Sequence, residues 1–102
     1  MVVLREGHRY ALESLEGGEP QTIQFIEKMP AASPELPMVT AYDGTTNEEV
    51  LKVLINRLEY LNGKMRDATN EIAIVELKSA LYALELRTAD RVRRGVEGTS
   101  TT

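Results

Sequence analysis

The chain has 102 residues, carries a formal net charge of −4 and contains no cysteine. That length is sufficient for one domain with a modest hydrophobic core. The missing cysteines exclude a disulfide framework, a thiol nucleophile and a cysteine-ligated metal site. Because a general polyanion binder normally shows a basic excess, the acidic balance argues against duplex nucleic acid as the main partner.

Targeting segments are not evident in the sequence. Residues 1–6 lack the apolar core of a signal peptide, and no run approaches the ~20 apolar residues of a membrane span. We therefore expect a protein that works in the cytosol and not in a membrane.

The first part of the chain is predicted to form a small antiparallel sheet. Residues 8–29 show the alternation of a β-hairpin, with apolar positions at Tyr10, Leu12, Ile23 and Phe25. The glycines and proline of residues 16–20 supply the turn. Residues 38–42 are a third strand candidate, which Asp43-Gly44 ends.

The first helix is predicted to begin at a capping box formed by Thr46 and Glu49. An apolar stripe at helical spacing follows, consisting of Val50, Leu51, Leu54, Ile55, Leu58 and Leu61. Asn62-Gly63 is predicted to stop this helix.

The second helix is predicted to begin near residues 67–70, with Asp67, Thr69 or Asn70 as its cap, and to end before Gly95. One packing seam consists of Ile74, Leu77, Leu81 and Leu84, and further apolar surface comes from Ile72, Val75, Tyr82 and Leu86. One such face suits the first helix, and the other suits a second chain.

These elements predict the α+β class, with a small N-terminal antiparallel β-sheet followed by a long two-helix antiparallel hairpin. Residues 1–45 form the sheet region, and residues 46–102 form the hairpin with an arginine-rich C-terminal helix. We expect both parts to belong to one compact domain.

Arginines cluster at the end of the second helix. Arg87, Arg91 and Arg94 are spaced i, i+4, i+7 and share one helix face, whereas Arg93 points elsewhere. Guanidinium groups bind phosphate oxygens in bidentate fashion. Basic residues in a last helical turn also complement the helix macrodipole, and the spacing by itself favours that simpler interpretation.

Tyr60 and Asn70 are the other candidate ligand contacts. The Tyr60 ring could stack on a base, and the Asn70 amide could pair with an adenine edge. Each has a plainer alternative, since Tyr60 suits a partly buried rim position and Asn70 suits an ordinary N-cap.

Catalytic chemistry finds no support in the sequence. His8 is the single histidine, and a lone imidazole rarely forms a metal site. A serine–histidine arrangement would need a nucleophile elbow, which is absent from the sequence. We therefore expect a protein that is not an enzyme and has no catalytic residue, metal or cofactor.

Two segments, residues 43–62 and 70–99, resemble the phage family with an Acb/Tad-type hairpin domain. The similarity is greatest to the Thoeris anti-defence sponges of the first type. Its most specific part is the ending Arg87-Thr-x-Asp-Arg-x-x-Arg-Gly-Val-Glu-Gly-Thr99. Residues 1–42 match that family only in general plan.

The resemblance implies a phage anti-defence protein in the cytoplasm of the infected bacterial host. Such proteins bind and sequester glycocyclic ADP-ribose, the immune signal made by TIR-domain enzymes, without degrading it. The pocket lies between subunits of a homodimer, which in some relatives assembles to a hexamer. The ligand-binding residues carried over by position are Tyr60, Asn70, Arg87, Thr88 and Arg91.

Two alternative functions remain open. Some relatives hold the cyclic di- or trinucleotides of CBASS defence, so those ligands could replace glycocyclic ADP-ribose. A different class is an oligomeric protein–protein adaptor whose basic helix end contacts an acidic partner. A third hypothesis, a nucleotide-cleaving enzyme, ranks last.

Overall fold

The computed structural model describes residues 1–95. Five short strands precede two α-helices within this range, so the predicted α+β class is confirmed. The described chain forms two compact units, residues 1–46 with the strands and residues 47–95 with the helices. The end of the family-like motif, residues 96–99, and the rest of the predicted hairpin region to residue 102 lie outside the described residues.

A three-stranded antiparallel sheet has the order β1-β2-β3, with β1 at Val2–Arg5, β2 at Arg9–Leu12 and β3 at Gln21–Gln24. The predicted hairpin is confirmed as β2 and β3, in which Tyr10 lies opposite Ile23. Gly17 has a φ of 80° in the connecting turn, a conformation that glycine adopts without steric cost. Strand β1 was not predicted, because its consecutive apolar residues show no alternation.

A two-stranded antiparallel sheet pairs β4 at Glu27–Met29 with β5 at Val39–Tyr42, which confirms the third predicted strand. Between β3 and β4, backbone N–H groups donate hydrogen bonds to residues outside the named strands. The Phe25 N–H donates to the His8 carbonyl at 2.7 Å, and the Ile26 N–H donates to the Thr45 carbonyl at 2.9 Å. Residues 21–29 look like one strand in the sequence, but these hydrogen bonds divide them into β3 and β4.

Helix α1 spans Asn47–Lys64 and helix α2 spans Ala68–Arg94. The predicted stop at Asn62-Gly63 is wrong by a short step, because the helix continues through Gly63 to Lys64. Asp67 is the N-cap of α2, and its side chain accepts a hydrogen bond from the Thr69 N–H. The predicted end before Gly95 is confirmed, since Gly95 adopts a left-handed C-cap conformation.

The helices pack as an antiparallel pair whose core is small. Within residues 1–95, only Ile55 of α1 and Ile74 of α2 are buried apolar residues. Lys78 Nζ lies 3.2 Å from Glu59 Oε2, an ion pair that joins the exposed sides of the two helices. The predicted seam of α2 faces this core, and a second apolar surface of α2 stays exposed. Neither helix is long and apolar enough to cross a membrane.

Candidate functional site

The arginine cluster divides into two groups at the end of α2. Arg93 and Arg94 both pair with the Asp90 carboxylate, and the Arg94 Nε to Asp90 Oδ2 distance is 3.0 Å. The hydrogen bond from Arg93 holds the pKa of Asp90 below its ordinary value. Arg87, by contrast, has no acidic partner within residues 1–95. Its guanidinium is therefore available to an anion from solution.

Arg91 lies one turn after Arg87 and is half-buried, whereas Arg87 is exposed. Residues at i and i+4 are neighbours on a helix surface, with Cβ atoms ~6 Å apart. A pair of arginines at this spacing is the kind of arrangement that can bind two phosphates joined through one oxygen. The third predicted member of this face, Arg94, is tied to Asp90.

Thr88 lies on the side of the arginine face that meets α1. Its hydroxyl donates to Glu48 Oε2 at 3.2 Å, and both side chains are half-buried. Glu48 is in the first turn of α1, so this bond joins the beginning of one helix to the end of the other. Glu48 was not among the candidate residues predicted from the sequence.

Tyr60 is on α1 and 61% exposed, so its ring is accessible to a stacking base. The ammonium of Lys64 lies 5.3 Å from the ring centroid. That separation is typical of a cation–π contact. The i, i+4 spacing of Tyr60 and Lys64 is the sequence signal for this neighbour.

Asn70 is the third residue of α2 and half-buried. The plainer alternative of an N-cap is excluded, because Asp67 occupies that position. In the part of the chain that the structure describes, the Asn70 side-chain amide has no hydrogen-bond partner. Its donor and acceptor atoms can therefore serve an external group such as a base edge.

The candidate residues lie at two separate ends of the helix pair. Asn70 is in the first turn of α2, whereas Arg87, Thr88 and Arg91 are in its last two turns. At ~1.5 Å per residue, Asn70 and Arg87 are roughly 25 Å apart along the helix axis. A single small nucleotide cannot contact both ends within one chain.

An exposed apolar stripe on α2 connects those two ends. The stripe consists of Ile72, Val75, Ser79, Tyr82 and Leu86, at alternating spacings of three and four residues. Ile72, Val75 and Tyr82 are each more than 60% exposed, although such residues normally contribute to a core. This regular spacing is typical of a helix–helix contact surface.

Comparison with known proteins places the chain beside a phage protein. No protein-family model matches it. The chain is 38% identical over 78 residues to Thoeris anti-defense 1 of Bacillus phage SBSphiJ7, an alignment that covers 74% of this chain. The chain spans only 55% of the length of that relative. Over the matched residues, the chain is a homologue of Thoeris anti-defense 1.

Proposed function

We propose that this chain is a phage anti-defence protein that blocks Thoeris signalling by binding and sequestering glycocyclic ADP-ribose without degrading it. The similarity to Thoeris anti-defense 1 carries the proposal. The side chains at the candidate positions support it, because they supply the exposed Tyr60 ring, the Asn70 amide and the exposed guanidinium of Arg87. The protein would act in the cytoplasm of the infected bacterium.

Each part of the ligand has a complementary group. Adenine stacks on the Tyr60 ring, a contact worth ~1–3 kcal/mol. The Asn70 amide pairs with the adenine edge. Arg87 and Arg91 bind the diphosphate oxygens. Thr88 contacts the ligand through its hydroxyl oxygen, since its single O–H is donated to Glu48. A sequestering protein needs slow release rather than turnover, and these contacts stabilise the bound state.

A homodimer would bring the two groups of residues together. The apolar stripe of α2 is nearly symmetric about Ser79, so an antiparallel second copy would match Ile72 with Leu86 and bring Val75 to within one residue of Tyr82. The same pairing brings Asn70 of one copy level with Thr88 of the other. A two-fold dimer of this kind would contain two equivalent sites. Further association of such dimers would produce a hexamer.

The first test is recovery of the captured ligand. Purified protein is incubated with TIR-generated glycocyclic ADP-ribose, separated from free ligand, and heat-denatured, and the released molecule is identified by mass spectrometry. Intact ligand in amounts equal to the protomer supports sequestration. A cleaved product would make the protein an enzyme and overturn the proposal. Arg93→Ala, which changes an arginine already paired with Asp90, is the matched control for Arg87→Ala.

A second test addresses the shared site. Tyr60→Ala and Arg87→Ala should each abolish binding in a pure homodimer. When the two variants are co-expressed, about a quarter of all sites should regain binding, because one site of each mixed dimer has both wild-type halves. A mixture that stays inactive would contradict a site assembled from two chains.

The alternative functions make different predictions in the same assays. Capture of cyclic di- or trinucleotides in place of glycocyclic ADP-ribose would assign the protein to CBASS signals. The adaptor alternative predicts no retained nucleotide of either kind. Competition between labelled glycocyclic ADP-ribose and unlabelled cyclic trinucleotide separates the first two outcomes.

A further inference from the structure

The carboxylate of Glu48 is oriented by a residue inside the candidate phosphate site. Thr88 lies between Arg87 and Arg91 in sequence, and its hydroxyl donates to Glu48 Oε2 at 3.2 Å. No other hydrogen-bond partner of Glu48 occurs within residues 1–95. The second carboxylate oxygen, Oε1, is consequently an unused acceptor at the end of the helix pair that carries the arginines.

An ionised carboxylate accepts hydrogen bonds but cannot donate them. A group that binds beside it must therefore offer an O–H or N–H. The phosphate oxygens of a bound nucleotide are acceptors, so they pair with Arg87 and Arg91 and not with Glu48. The nearest donors to a nucleotide diphosphate are the ribose hydroxyls, and carboxylates bind those hydroxyls in other nucleotide sites.

We propose that Glu48 Oε1 accepts a hydrogen bond from a ribose hydroxyl of the nucleotide whose phosphates contact Arg87 and Arg91. This inference rests on the proposed function and adds a residue that selects the ligand. Thr88 is the positioning residue, because its hydroxyl holds the other carboxylate oxygen. The site thereby recognises both the phosphates and the ribose of one ligand.

Glu48 also disfavours the wrong anions. A carboxylate near a phosphate site repels any anion, and that repulsion is offset only for a ligand that donates a hydroxyl hydrogen to it. Inorganic diphosphate and sugar-free polyphosphates carry no ribose hydroxyl, so they cannot donate to Glu48 from the sugar position. Selectivity for a ribose-bearing ligand follows from one negative charge placed beside two positive ones.

The test uses the full-length Glu48→Gln variant, which preserves side-chain size and can still accept the Thr88 hydrogen bond. Affinities for glycocyclic ADP-ribose and for inorganic diphosphate are measured by calorimetry. We expect glycocyclic ADP-ribose to bind about tenfold more weakly, since a charge-assisted hydrogen bond is lost. Inorganic diphosphate should bind equally well or more tightly, because the repulsion is removed.

Glu85→Gln is the matched control, since it removes one exposed carboxylate of α2 that lies two residues before Arg87. It should change both affinities less than twofold. Thr88→Val is a second variant, which leaves the carboxylate in place but unheld. It should weaken glycocyclic ADP-ribose binding while leaving diphosphate binding less affected, and it decides the question if Glu48→Gln fails to fold.

The outcomes separate the two proposals. Equal or tighter binding of glycocyclic ADP-ribose by a folded Glu48→Gln protein overturns the role of Glu48 and leaves the proposed function standing. Parallel loss of both ligands also overturns it, because the variant would then have damaged the arginine face. Failure of the wild-type protein to bind glycocyclic ADP-ribose overturns the proposed function and this inference with it.

Discussion

Asn62 Oδ1 accepts a hydrogen bond from the backbone N–H of Asp67 at 2.8 Å, which closes the turn between α1 and α2. Asp67 in turn caps α2 through the Thr69 N–H at 2.7 Å. These two hydrogen bonds link the last turn of α1 to the first turn of α2. The position of Asn70, one residue past Thr69, therefore depends on this turn.

Replacing Asp67 with Ala should destabilise the helix pair, because the first turn of α2 loses the acceptor for a backbone N–H. We expect the melting temperature to fall by roughly 5 °C in thermal unfolding followed by circular dichroism. Asp67→Asn preserves a capping oxygen and should retain most of the stability. An unchanged melting temperature for Asp67→Ala would show that the cap contributes nothing.

Ile74 and Ile72 provide a matched pair of substitutions in one helix. Ile74 is buried against α1, so Ile74→Ala should lower the free energy of unfolding by about 2–4 kcal/mol in urea titration. Ile72 is 61% exposed in the single chain, so Ile72→Ala should lower the free energy of unfolding of the helix pair much less than Ile74→Ala does.

The same pair also tests the proposed dimer, provided that both proteins are compared at equal concentration. Ile72→Ala should weaken self-association in sedimentation velocity, because Ile72 belongs to the apolar stripe. If the variant associates as strongly as the wild type, the stripe is not the contact between copies.

Gly44 lies so close to β3 that no side chain fits. A Cβ built there would overlap the Gln24 carbonyl oxygen and the Phe25 backbone. Gly44→Ala should therefore lower the free energy of unfolding by about 1–3 kcal/mol. Gly63→Ala is the control, since Gly63 is helical and a Cβ there meets no neighbouring atom. That change should stabilise the protein by about 0.5–1 kcal/mol.

The Arg5–Glu27 ion pair predicts a loss of stability in acid. Arg5 Nε donates to Glu27 Oε1 at 2.6 Å, which holds the pKa of Glu27 below its ordinary value of 4.5. Because the folded-state pKa is depressed, the contribution is present above pH 4.5 and is lost as the pH falls through the lower, folded-state pKa.

Melting temperatures measured between pH 7 and pH 2 should show this decline, and Glu27→Gln should reduce its slope. Both side chains contact solvent, so high salt should shrink the difference between wild type and variant. If the melting temperature of Glu27→Gln falls in acid as steeply as that of the wild type, other carboxylates account for the loss of stability.

Much of the hairpin could be predicted from local chemistry. The helix-forming stretches, the position of Gly95 and the apolar seam follow from periodicity and capping, which depend on residues within one or two turns. The end of α1 was less predictable, because Asn62 acts on Asp67 across a turn. Strand β1 escaped prediction because its consecutive apolar residues show no alternation. Strand β4 escaped prediction because its partner β5 comes only after the loop of residues 30–38.

The sequence by itself determined that the chain has an α+β fold and that its last helix carries an arginine face. The resemblance of two segments to a phage family singled out the candidate ligand residues Tyr60, Asn70, Arg87, Thr88 and Arg91. Only the tertiary structure decided that Asp90 pairs with Arg93 and Arg94 and not with Arg87, and that Asp67 rather than Asn70 caps α2. It also decided that Thr88 holds Glu48, forty residues away. Periodicity reports which residues share a face, whereas the partner of a charged or polar group depends on which chain segments meet in space.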